Sequence, residues 1–100
     1  MLPHTRAIEY ATGMKMDFGT YFRVGERGYT LERMFNMREG IGGDQDRLPK
    51  RFTDERLLPD KKESVVPMGK MLPKYYRLRG WDRSGQPTAR TLRKLGLDGL

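Results

Sequence analysis

One hundred residues, 33% of them charged and 36% hydrophobic, make one domain or part of one, near the lower end of what buries a self-sufficient core. The absence of cysteine excludes disulfides, thiolate zinc, iron–sulfur ligation and cysteine nucleophiles from this chain. A formal charge of +7 raises nucleic acid as a partner, yet the 20 basic residues are interleaved with 13 acidic ones and form no arm that would track a phosphate backbone.

No run approaches the roughly 20 apolar residues of a bilayer span, so no membrane association is expected. The opening MLPHTRAIEYATG has no apolar stretch fit for a signal peptide, and a cytoplasmic location is the expectation. The single histidine, His4, reads as a solvated residue near a chain end and cannot assemble a metal site alone.

The first helix is expected over 3–12. Pro3 suits a first turn, where its missing N–H costs nothing, and Gly13 supplies the stop. The second and longest helix is expected from about Thr20 to Glu39, capped by Thr20 or Asp17 and stopped at Gly40. Its row Val24, Gly28, Leu31, Phe35 is spaced four, three, four and therefore lies on one face. Gly25 and Gly28 lie inside it, each costing about 1 kcal/mol relative to alanine. Either another backbone approaches them closely, or the helix is weak before it docks.

From about Ile41 to Val66 the chain reads as a long irregular loop, rich in glycine, proline and charge, with apolar pins at Leu48, Phe52, Leu57 and Leu58. A loop of this length in so small a chain is expected to wrap over a larger body. A third helix follows over 68–79, with Pro73 inside it and Gly80 as its stop. Trp81 is expected to fold back as a packing anchor. The last helix begins after Thr88 as N-cap and ends at Gly96, with Leu97 closing the cap. The fold class is thus all-α, about four helices in an irregular bundle with a long ordered loop, forming a single helical domain or part-domain over 1–100.

No reaction constellation is present. There is no HExxH, no GxxxxGK[ST], no GxGxxG and no nucleophile elbow. The carboxylate pairs Asp44/Asp46 and Asp54/Glu55 sit among arginines and lysines, which points to surface ion pairing rather than acid/base work. Tyr75, Tyr76 and Trp81 beside Arg77 and Arg79 have the chemistry to stack bases, but their helix-face spacing favours core packing.

Four strings appear in order: ATG with MDFGTYFRVGERGYTLERMFNMREG, then LPKRF, MLPKYYRLRGWD and PTARTLRKLGL. Together they resemble the C-terminal part of the aldehyde ferredoxin oxidoreductase family, from about Ala11 to Leu97. The resemblance implies a parent enzyme that oxidises an aldehyde to a carboxylic acid, with tungsten held by two pterin dithiolenes and a [4Fe–4S] cluster passing electrons to ferredoxin. It implies no catalytic, cofactor-binding or metal residue here, because the family's cluster cysteines lie upstream of the matched region. Arg38, Glu39, Leu48, Lys50, Arg51, Phe52 and Trp81 fall in the matched strings and are read as domain-packing positions. Leu48–Phe52 is the expected strip of loop docked onto the rest of the enzyme.

Three departures stand out. Met14 and Lys15 replace a usual tryptophan, 54–66 lacks the usual Gly-Pro pattern, and Gly28 stands where the family prefers a large aliphatic residue. The last leaves a hole costing about 2–4 kcal/mol unless something fills it. The expected partners are the remaining domains of the oxidoreductase or a separately encoded catalytic subunit, with ferredoxin reached through the parent. The alternative is a free-standing basic helical module that binds nucleic acid or an acidic protein.

Overall fold

The computed structural model describes residues 3–100, and the elements among them are helical, apart from one isolated antiparallel bridge between Trp81 and Pro87. Helix α1 spans Pro3–Thr12, α2 Phe18–Arg38, α3 Lys50–Thr53, α4 Met68–Arg79 and α5 Ala89–Leu95. Two 3-10 turns, Gly43–Gln45 and Lys62–Ser64, flank α3. The stretch expected as irregular loop therefore contains three short helical turns, each too short for periodicity to announce it.

Local chemistry explains where the helices stop and start. Asp17 accepts the Thr20 backbone N–H at 2.6 Å, so α2 begins at Phe18, two residues before the expected Thr20 start. That bond also holds the Asp17 carboxyl below its ordinary range. Thr88 caps α5 in the same way, accepting from the Thr91 N–H at 3.2 Å. Helices α2, α4 and α5 all end on one device. Gly40, Gly80 and Gly96 take positive φ, and the residue after each donates back into the last turn: Ile41 to Asn36, Trp81 to Tyr76 and Leu97 to Leu92, each at 2.8 Å. In the last two cases this closure buries the apolar residue that follows the glycine, Trp81 or Leu97.

Helix α2 carries the fold, and it is turned opposite to its amphipathicity. Its buried residues are Thr30 and Arg33, while the row read as apolar faces outward: Val24 is 50% exposed, Leu31 46% and Phe35 62%. A Cβ on Gly25 or Gly28 would meet nothing within 4 Å. Among the described residues no other backbone approaches either glycine, and Gly28 leaves no internal hole to fill. The inward side of α2 instead collects polar partners. Arg33 pairs with Asp46, Glu26 pairs with Arg79 of α4, and Arg23 Nη2 donates to the Lys94 carbonyl of α5 at 2.9 Å.

The outcome is an extended body. Its radius of gyration is 17.6 Å, against about 13 Å for a compact domain of this length. Its accessible surface is 8362 Å², where a compact chain of this mass exposes about 5,900 Å². Only Met16, Tyr76, Trp81, Leu95 and Leu97 form a buried apolar core among the described residues.

Candidate functional site

Two glycines bring distant segments together around Arg33. A Cβ at Gly43 would overlap the Ser84 carbonyl, so only glycine lets the turn after α2 lie against the turn after α4. A Cβ at Gly85, whose φ is +81°, would overlap the Arg33 guanidinium. Asp82 shapes that second turn, its Oδ1 accepting the Ser84 N–H at 2.9 Å and the Gln86 N–H at 3.0 Å. These bonds, chiefly the one from Gln86, hold the Asp82 carboxyl below the usual range. The turn is thereby fixed with the Gly85 carbonyl aimed at α2.

Arg33 fills the space so formed. Its Nε donates to the Gly85 carbonyl and its Nη1 to Asp46 Oδ1, both at 2.8 Å, while Nη2 pairs with Asp46 Oδ2. The guanidinium carbon stands 4.9 Å from the Trp81 ring centre and 5.7 Å from that of Tyr76. Tyr76 also donates its hydroxyl to Asp46. Hydrogen bonding from Arg33 lowers the Asp46 pKa, and the same pair raises that of Arg33. Burial, then the bond to Asp46, pushes the Tyr76 phenol up. Asp46 thus stays an ionised acceptor and Tyr76 a neutral donor. The cluster is a staple joining α2, the following turn, α4 and the 82–87 turn, with no group poised to exchange protons.

A second cluster forms around Arg79. It pairs with Glu26, donates from its Nε to the Tyr75 hydroxyl oxygen at 3.1 Å, and stands 4.8 Å from the Tyr29 ring centre and 5.2 Å from that of Tyr75. Of the residues that had the chemistry to stack bases, Tyr75, Tyr76, Trp81 and Arg79 are engaged within the chain.

The positions singled out in the sequence lie apart. Arg38 is the last residue of α2 and Glu39 its C-cap. Lys50, Arg51 and Phe52 lie in α3 with Leu48 just before it, all exposed. Trp81 is buried within the chain against Arg33, Tyr75 and Tyr76. Sequence reasoning placed Tyr76 in the core but missed Arg33 and Gly85, and it read Asp46 as a surface charge, whereas the structure half-buries it in the staple. The one available signal was glycine, at Gly43 and Gly85, on both sides of the contact.

The chain matches the family model for aldehyde ferredoxin oxidoreductase, domains 2 and 3, over residues 3–97. It belongs to the aldehyde ferredoxin oxidoreductase family. It is 38% identical over 98 residues to a tungsten-containing aldehyde ferredoxin oxidoreductase of Pyrococcus horikoshii, which covers 95% of this chain and 16% of that protein. With the proteins of the same name from Pyrococcus abyssi and Thermococcus kodakarensis it shares 41% identity over 87 and 86 residues, in each case 14% of the relative. The chain therefore spans about a sixth of the length of the curated relatives it matches.

The residues present do not fit the redox groups that the resemblance implies. There is no thiolate to ligate an iron–sulfur cluster, and among the described residues no group of three or more His, Asp or Glu is placed to hold a metal ion. Thr30 Oγ1 and Trp81 Nε1 are the buried side-chain atoms without a hydrogen-bond partner among the described residues, and they belong to different elements rather than to one cradle. No helix among the described residues is long and apolar enough to cross a membrane.

Proposed function

We propose that this chain acts as the C-terminal helical segment of a tungsten-pterin, iron–sulfur oxidoreductase that converts aldehydes to carboxylic acids and passes electrons to ferredoxin in the cytoplasm. Its contribution is shape: it completes a helical domain and walls the substrate channel, and it supplies no catalytic residue. The observation that carries this reading is the inversion of α2, which hides Thr30 and Arg33 and presents Val24, Leu31 and Phe35 outward. A face of that kind in a chain exposing some 2,500 Å² more than a compact one of its mass (about 5,900 Å²) fits a part built to be covered.

Within this reading, Arg38 and Glu39 at the end of α2, and the exposed strip of Leu48, Lys50, Arg51 and Phe52, pack against the remaining domains. Trp81 supports them from behind by holding Arg33. The alternative of a free-standing basic module draws no support from the family match, which spans residues 3–97.

The test is reconstitution. The chain is combined with the polypeptide of a relative from which the matching segment has been deleted, and aldehyde-dependent viologen reduction is measured. Activity from the mixture, and from neither part alone, is the expected result. An assembled complex that reduces no viologen with any aldehyde tried would overturn the functional reading.

A further inference from the structure

We propose that the outward row of α2 formed by Val24, Gly28, Leu31 and Phe35 is the seat of one apolar helix from the rest of an oxidoreductase polypeptide of this family, with Gly28 as the notch that receives its largest side chain. The proposal rests on the functional reading above and adds to it the surface used and the form of its occupant.

The row runs over eleven residue steps, about 16 Å of helix at 1.5 Å per residue, which is a helix-length seam rather than a point contact. The spacing of four, three, four is the seam along which two helices pack knobs into holes. At its middle the seam is interrupted. A Cβ at Gly28 would meet nothing within 4 Å among the described residues, so the gap between Val24 and Leu31 opens outward. An occupant that fills it must project a bulky apolar group at that level.

The edges of the seam carry opposite charge. At 100° per residue, Arg27 and Arg38 flank the row on one side, while Glu32 lies on the other with the C-cap Glu39 beyond it. The occupant is therefore apolar along its centre, with carboxylates on the edge facing Arg27 and Arg38 and a base facing Glu32. Such a rim fixes which way the helix lies, whereas the apolar seam supplies the attraction. A second copy of this chain is the weaker occupant, because two bodies of net charge +7 repel before they touch. The relatives carry about five-sixths of their length outside the matched segment, and this supplies the occupant.

The experiment co-expresses the tagged chain with the Pyrococcus horikoshii polypeptide lacking its matching segment, and places the photoreactive residue p-benzoylphenylalanine at position 35. The two parts are expected to co-purify, and illumination is expected to join them covalently. Leu31→Asp with Phe35→Asp should cut recovery of the complex roughly tenfold or more, because two carboxylates would be buried in the seam. The helical circular dichroism of the chain should stay unchanged, since both side chains face outward. Should the double variant lose helicity, the photolabel in the otherwise unaltered chain decides the matter. Failure of the unaltered parts to co-purify would overturn the functional reading and this seat with it. Co-purification without a cross-link at position 35, undiminished by the aspartates, would overturn the seat alone. A cross-link between two copies of the chain would overturn the occupant.

Discussion

Arg33 and Asp46 meet through both prongs of the guanidinium, and the same arginine reaches the Gly85 carbonyl at 2.8 Å. One side chain of α2 thereby gathers the turn that follows it and the turn that follows α4. With only five buried apolar residues forming a core among the described residues, this polar staple carries a share of the tertiary order that packing carries in a larger domain.

Asp46→Asn should destabilise the chain by about 2–3 kcal/mol at pH 7, because the Arg33 charge stays in place with its partner gone. The pH dependence has a definite sign. The folded-state pKa of Asp46 lies below the ordinary 3.8, so its contribution is fully present above about pH 4 to 5 and is lost as pH falls through the folded value. Urea denaturation of the two proteins at a series of pH values should show their midpoints converging in acid. Parallel lines down to pH 2 would remove Asp46 from the account.

Gly85→Ala should cost more than a surface change of its size. The backbone there has φ of +81°, and the added methyl would overlap the Arg33 guanidinium and crowd the Tyr76 ring. The expected loss is about 2–3 kcal/mol, the sum of backbone strain and displacement of the staple. The same change at Gly99, where a Cβ meets nothing and the backbone does not take positive φ, should leave the denaturation midpoint where it was.

Punctuation was the most legible layer of this sequence. Thr88 and Gly96 bound α5, and Gly40 and Gly80 end α2 and α4, because caps are decided by neighbours a few residues away. The start of α2 was harder, since Asp17 and Thr20 are both competent caps and only the bond between them shows which one acts. The inversion of α2 was out of reach for a different reason. Periodicity tells that a face is apolar, and says nothing about whether its cover lies in the same chain. The staple was hidden by distance and number, for nothing local distinguishes Arg33 from the other Lys and Arg among 20, and Gly85 lies 52 residues away.

Trp81 separates packing from hydrogen bonding. Among the described residues its Nε1 is buried without a partner, while its ring stands 4.9 Å from the Arg33 guanidinium carbon. Trp81→Phe removes no hydrogen bond and keeps an aromatic face, so the expected cost is about 1–2 kcal/mol. Trp81→Ala should cost about 3–5 kcal/mol through the cavity it leaves. Comparing the two denaturation midpoints checks this, and equal losses would show that the indole N–H carries the effect.

The two open glycines of α2 should respond alike in isolation and differently on assembly. Gly25→Ala and Gly28→Ala each place a methyl where nothing lies within 4 Å, and each relieves about 1 kcal/mol of helix propensity. Both should raise the urea midpoint of the isolated chain. Gly28→Phe should also leave the isolated chain folded, since the ring enters open space. In the assembled enzyme it would occupy the notch between Val24 and Leu31 and exclude the side chain expected there. Recovery of the complex should then fall for Gly28→Phe while holding for Gly25→Ala, whose single methyl points about 60° around the helix from Gly28. Equal recovery for both would place the facing helix elsewhere on α2.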